Sequence, residues 1–204
     1  MPGAASLWLV PPKGSHVEKL LSKLIATIIP QHFPELKSPP GFLPHLTLTS
    51  DIPEEALSNG PQSWLDGLPL ALDVPPYVTF GSLDVGEPFF RKLTLQVRKH
   101  HLYDLPTQIR AAAVERGDAV AAELWAAEDY TPHVSLLYAD LNIGEGKRQD
   151  ILQDLDKAEI SLRDEGAFQG KENEGYNGWI GGRILLVSTW KVLEKWAVIA
   201  ERDL

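Results

Sequence analysis

Cysteine does not occur in this 204-residue chain, and methionine occurs once. The first absence excludes disulfides, thiol nucleophiles and every cysteine-ligated metal site, and it fits a reducing compartment. Long apolar runs are missing too. The best N-terminal stretch, Leu7-Trp8-Leu9-Val10, is closed by Pro11-Pro12. It is far short of the ~18 residues a membrane span needs and too short for a signal-peptide core. The expectation is an intracellular chain with no membrane partner. Basic surplus is also lacking: 19 Lys and Arg stand against 28 Asp and Glu, a formal charge of −9. Proteins that grip long nucleic acid draw most of their affinity from basic footprints on phosphates. The densest basic spot here, Arg98-Lys99-His100-His101, reads as a solvated strand end. A long nucleic acid is therefore not the expected partner, whereas a small anionic ligand held by local groups is. No repeat of 20–50 residues signals a solenoid or propeller.

What is present is an ordinary globular composition, 44% hydrophobic and 23% charged, in a chain long enough to bury roughly 70% of its unfolded surface. Ser6–Val10 reads as a strand, and Val17, Leu20, Leu21, Leu24, Ile25 and Ile28 recur at helical spacing behind Ser15 as cap. Leu46–Thr49, Leu70–Val74, Tyr77–Phe80, Leu93–Val97 and Val134–Leu137 read as strands. Leu102–Arg116 and Ile151–Ala158 read as helices, with Pro53-Glu54-Glu55 opening a shorter one. Gly166–Gly182 is glycine-rich and polar, the expected long loop. Ile184–Thr189 and Trp196–Ala200 read as a terminal hairpin around Val192–Lys195. Helices mixed with antiparallel-looking strands predict an α+β fold.

One short pattern occurs twice: Pro44-His45-Leu46-Thr47-Leu48 and Pro132-His133-Val134-Ser135-Leu136. The composition of the chain gives this pattern at any one histidine with a probability of about 0.001, so two copies among six histidines are not a chance recurrence. On a strand, alternation sends the imidazole and the hydroxyl to one face and the two apolar residues to the other. Thr49 falls on the face of His45 and Thr47 as a supporting hydroxyl. Neither copy carries a second histidine or a carboxylate at ligand spacing, and hydroxyls are poor zinc ligands, so no metal site is expected. The Gly-x-Ser-x-Gly elbow of serine hydrolases is absent. Paired imidazoles suit phosphoester chemistry without a metal or other cofactor. One neutral ring takes a proton while its protonated twin gives one, and the two hydroxyls hydrogen-bond the non-bridging oxygens.

The doubled His-x-Thr/Ser pattern resembles the 2H phosphoesterase superfamily. Tyr138, three residues beyond Ser135, and the length of the chain resemble the cyclic nucleotide phosphodiesterases of plants and fungi within it. The resemblance implies a bilobal α+β fold over residues 1–204, with two antiparallel sheets facing each other across a central cleft, helices outside and one motif in each lobe. It implies His45 and His133 as the acid/base pair, Thr47 and Ser135 as phosphate-contacting hydroxyls, and Tyr138 as a substrate contact. The implied reactions are hydrolysis of 2′,3′-cyclic nucleotides to 2′-phosphates and of ADP-ribose 1″,2″-cyclic phosphate. A cytoplasmic monomer is expected, and the resemblance to fungal members adds Golgi association as a second compartment. Plant members carry cysteines near the site; their absence here excludes redox control of that kind.

Strict alternation puts Tyr138 on the face opposite Ser135, so either the strand bulges or ends near Leu137 and Tyr138 reaches the site, or Tyr138 is a core residue. Trp125, Tyr130, Tyr176 and Trp179 are aromatic candidates for stacking on a base. His16, His32, His100 and His101 lack the pattern and are expected in solvent. Two other functions remain open: an RNA-end processor acting on 2′,3′-cyclic or 2′–5′ ends, and a module that binds a nucleotide phosphate without turning it over.

Overall fold

A computed structural model describes residues 5–70, 72, 74–162, 170–171 and 175–204. The strands are β1 (Ala5–Val10), β2 (Leu46–Ile52), β3 (Tyr77–Val85), β4 (Leu93–Val97), β5 (His133–Leu137), β6 (Gly170–Lys171), β7 (Gly175–Tyr176), β8 (Gly178–Ile180), β9 (Arg183–Ser188) and β10 (Ala197–Asp203). The helices are α1 (His16–Lys23), α2 (Pro61–Asp66), α3 (Asp104–Ala113), α4 (Ala119–Glu128) and α5 (Glu145–Lys157).

Eight strands form one sheet in the order β10-β9-β1-β2-β5-β4-β3-β8, with every pairing antiparallel. The sheet curls into a half-barrel with helices around it. The expectation of two separate sheets facing across a cleft is thus corrected. β2 and β5, the two motif strands, are central neighbours joined at the pair Leu46–Val134. That pairing makes the two halves one continuous sheet, and its curvature supplies the concavity assigned above to a gap between sheets.

Leu46 and Val134 occupy the same position in their motifs, so this antiparallel pair sits on a local two-fold axis. The register that follows sets His45 opposite Ser135 and Thr47 opposite His133, each histidine facing the hydroxyl residue of the other motif. The apolar motif positions Leu46, Leu48, Val134 and Leu136 are all fully buried in the main core. They pack with Val17 and Leu21 of α1, Leu105 and Ile109 of α3, and Ile151 and Leu155 of α5. On the other face Trp8, Val10, Leu185 and Val187 form a smaller cluster against Trp196.

Local chemistry explains most elements. Ser15 caps α1 by accepting from the Glu18 N–H at 3.2 Å, and Glu18 accepts from the Gly14 N–H at 2.6 Å, close to the reciprocal geometry of a capping box. The helical spacing continues past α1 as a π-turn over Leu24–Ile28. β9 and β10 pair as the hairpin reading expects. α4 has no counterpart in the sequence reading because its alanines blur the 3.6 period; only Ala122 and Ala126 are buried in it. Leu70, Leu72 and Val74 are not in a strand, and residues 71 and 73 of that reading lie outside the described residues. Within Gly166–Gly182, described residues form β6, β7 and β8, while 166–169 and 172–174 lie outside the described residues.

Candidate active site

Each histidine is fixed by the backbone just before it. His45 Nδ1 lies 2.6 Å from the carbonyl of Leu43, and His133 Nδ1 lies 2.9 Å from the carbonyl of Thr131. A carbonyl only accepts, so Nδ1 carries the proton in both rings and Nε2 is left as the nitrogen that can accept one. The two anchors span the same two-residue interval, one proline apart from each ring. This repetition is why proline precedes histidine in both copies: the residue before proline is held extended, with its carbonyl turned back on the ring.

The rings differ in what surrounds them. His45 is 5% exposed and stacks on Trp8 at 3.7 Å between centroids. Phe42 meets its edge at 6.2 Å. Burial, together with the charge His133 can carry, lowers the His45 imidazole to about 4, against the opposing pull of the Leu43 carbonyl. His133 is half-buried. Burial lowers its proton affinity as well, the Thr131 carbonyl works against that, and Arg91 adds to it.

Tyr138 answers the alternation problem. β5 pairs with β4 through Gln96–His133, Leu95–Val134 and Thr94–Ser135, but the next pair is Leu93–Leu137. Leu136 is therefore the extra residue of a bulge, and both Leu136 and Leu137 lie in the core. The bulge turns Tyr138 onto the face of His133 and Ser135. Its hydroxyl lies 3.4 Å from His45 Nε2. Burial raises the phenol well above its ordinary value, so it keeps its proton.

A matching shift occurs in β2, where Trp8 pairs with Thr47 but Leu7 pairs with Thr49. Thr49 thereby shares the core face of Leu7, and Arg110 of α3 reaches its hydroxyl at 3.4 Å. It does not support the site face, contrary to strict alternation. Thr47 stays beside Trp8, and its carbonyl accepts from Tyr130 at 3.2 Å. Ser135 Oγ donates to the Phe90 carbonyl at 3.1 Å.

The structure therefore brings His45, Thr47, His133, Ser135 and Tyr138 together. The aromatic residues around them are not those singled out in the sequence. Phe42 stacks on Tyr138 at 3.9 Å, Phe90 meets Tyr138 edge-on at 5.3 Å, and Phe90 stacks on Trp196 at 5.4 Å. Trp125 packs on Tyr130 and Arg110, Trp179 is buried against Phe80, and Tyr176 stacks on His16. His32 is not a solvent residue: it pairs with Asp154 at 2.8 Å with 14% of its side chain exposed. Trp8 carried a sequence signal, since it alternates with the core residues Leu7 and Leu9. Phe42 and Phe90 lie outside strands and carried none, and Trp196, read from the sequence as the first residue of the last strand, precedes β10. Among the described residues no group of three or more His, Asp or Glu is arranged to hold a metal ion, and no helix is long and apolar enough to cross a membrane.

Comparison with known proteins decides the family. Residues 1–204 match the family described as "Cyclic phosphodiesterase-like protein". The chain belongs to that family. It lies within the 2H phosphoesterase superfamily and is a hydrolase of the cyclic-phosphodiesterase type. This cyclic phosphodiesterase-like chain is 36% identical to a 2′,3′-cyclic-nucleotide 3′-phosphodiesterase of Phaeosphaeria nodorum over 206 residues, covering 100% of both chains. It is 31% identical to the protein of the same name from Neurospora crassa over 222 residues, again covering 100% of both. A crystal structure of E. coli LigT with phosphate aligns at a TM-score of 0.47 and 15% identity, covering 100% of this chain and 98% of that one.

The depressed His45 value has a consequence for stability. Between about 4 and the ordinary 6.5, the unfolded chain binds a proton at this position that the folded protein does not. Stability should therefore fall as the pH drops from above 6.5 towards 4, and His45 should add nothing further below that. The full shift is worth about 3 kcal/mol. Urea unfolding at pH 7 and pH 4.5 should show a smaller acid loss in His45→Gln than in the wild type; equal losses would contradict the assignment.

Proposed function

We propose that this protein hydrolyses 2′,3′-cyclic nucleotides to 2′-phosphates with His45 as general base and His133 as general acid, without a metal. The observation that carries the reading is the pair of Nδ1-anchored imidazoles on neighbouring antiparallel strands, each set opposite the hydroxyl residue of the other motif. His45, the more deeply buried ring and the one that receives the Tyr138 hydroxyl at Nε2, is held neutral and ready to accept a proton. Water gives that proton to His45 Nε2 as its oxygen bonds to phosphorus. The P–O bond to the 3′ oxygen breaks on the opposite side, and His133 Nε2 supplies the proton that oxygen takes up. The substrate phosphate is an anion, which raises the proton affinity of both rings on binding and charges the less buried one first. On binding, Ser135 and Tyr138 turn from the Phe90 carbonyl and His45 Nε2 to join Thr47 in donating to the non-bridging oxygens, where charge accumulates, and His45 Nε2 is freed for the proton of the water. The activity by which the Phaeosphaeria nodorum and Neurospora crassa relatives are named supports the substrate class.

The −9 charge favours a small nucleotide over a long RNA strand, which the protein would repel. The test is turnover of a panel of 2′,3′-cyclic mononucleotides and ADP-ribose 1″,2″-cyclic phosphate, with the phosphate position in the product assigned by NMR and a strong chelator present. A 2′-phosphate product at undiminished rate is expected. A loss restored by one divalent ion would sink the metal-free scheme, and turnover confined to RNA ends would move the substrate to longer chains.

A further inference from the structure

The turn between β3 and β4 grips the second motif at two adjacent residues. The Phe90 carbonyl accepts from Ser135 Oγ at 3.1 Å, and Arg91 Nη2 donates to Thr131 Oγ1 at 2.8 Å. Thr131 is the residue whose carbonyl holds His133 Nδ1. The turn is itself fixed: the Arg91 N–H donates to Pro88 O at 3.0 Å, the Gly86 N–H to Lys92 O at 3.1 Å, and the buried Lys92 ammonium to Glu87 O at 3.0 Å. Arg91 makes no ion pair among the described residues. Among the described residues, no side chain braces the Leu43 peptide of the first motif in the same way. Its anchor residue Leu43 is 51% exposed, and the His45 ring is held instead by its stack on Trp8.

We propose that Arg91 is a positioning residue of the catalytic centre, fixing the His133 ring through Thr131. The inference rests on the reading of His133 as half of the acid/base pair. Its physical basis is the leverage of a side chain on a peptide group. Thr131 lies outside any strand; Pro132 holds its backbone extended, and the Arg91 bond to its hydroxyl ties that peptide group to the turn between β3 and β4. Misplacing a reacting group by ~1 Å costs on the order of 10²-fold in rate. The guanidinium has a second effect by its charge, which opposes a proton on His133.

The other groups facing that ring are few. His45 stands across the concavity, Tyr138 keeps its proton, Gln96 opposite on β4 is uncharged, and Lys92 is turned to Glu87 O. Glu128 and Asp129 at the end of α4 are exposed.

The experiment combines steady-state kinetics on a 2′,3′-cyclic mononucleotide with NMR titration of the histidine rings, in Arg91→Gln, Arg91→Lys, Thr131→Val, Thr131→Ser and the Arg91→Gln/Thr131→Val double variant. Arg91→Gln and Thr131→Val should each lower kcat about tenfold or more with KM little changed. The double variant should be no worse than the poorer single one, because both break one chain of contacts. Thr131→Ser should restore the rate. The His133 midpoint should rise in Arg91→Gln and return in Arg91→Lys. Additive losses, a raised KM with unchanged kcat, or an unmoved His133 midpoint in Arg91→Gln would each overturn the proposal. If the wild type fails to hydrolyse cyclic phosphates, the functional reading falls, and the NMR midpoints still decide the link between Arg91 and His133.

Discussion

Replacing His45 or His133 by alanine should lower kcat by roughly 10²–10⁴-fold, the range for losing a proton-transfer partner. The rings act on one reaction coordinate, so the double variant should be scarcely worse than the poorer single one. The two roles are separable by the leaving group. With sulfur in place of the departing 3′ oxygen, the thiolate leaves without needing a proton at that step. His133→Ala should then recover most of its loss, while His45→Ala should not, because the water still has to be deprotonated. Recovery in His45→Ala instead would reverse the assignment. Near-normal turnover in both folded variants would remove the pair from catalysis and favour a phosphate-binding module.

The hydroxyls carry the second large effect. Thr47→Ala and Ser135→Ala should each cost ~10–10³-fold in kcat, since a hydrogen bond to a non-bridging oxygen strengthens as charge develops there. Ser135 should show the larger change in stability. Its Oγ satisfies the Phe90 carbonyl in the free protein, and alanine leaves that acceptor without its partner, a loss of about 1 kcal/mol. Thr47→Ser and Ser135→Thr should keep most of the rate. Kinetics with thermal unfolding on the same samples separate the two effects. A loss confined to KM would mean that the hydroxyls bind the ground state and transition state alike.

The sequence, read alone, located the two motif strands, their buried apolar positions and the four polar side chains that face the other way. It did so because a strand has a period of two, and because a pattern met twice by chance is rare. It also framed the Tyr138 question in the right terms, as a matter of a bulge. Apart from the β9–β10 hairpin, what it lacked was everything that depends on which strands pair. The central contact of β2 with β5 at Leu46–Val134 merges two expected sheets into one, and no local signal marks a pairing between strands some 87 residues apart in the chain. The bulges at Leu48 and Leu136 are likewise properties of pairs of strands. They move Thr49 away from the site and Tyr138 into it. Trp8, Phe42, Phe90 and Trp196, and the brace from Arg91 to Thr131, come from five separate stretches of chain. Their convergence follows from the curl of the sheet and the packing of its loops, which are set by long-range contacts, whereas sequence periodicity reports only the local alternation of burial.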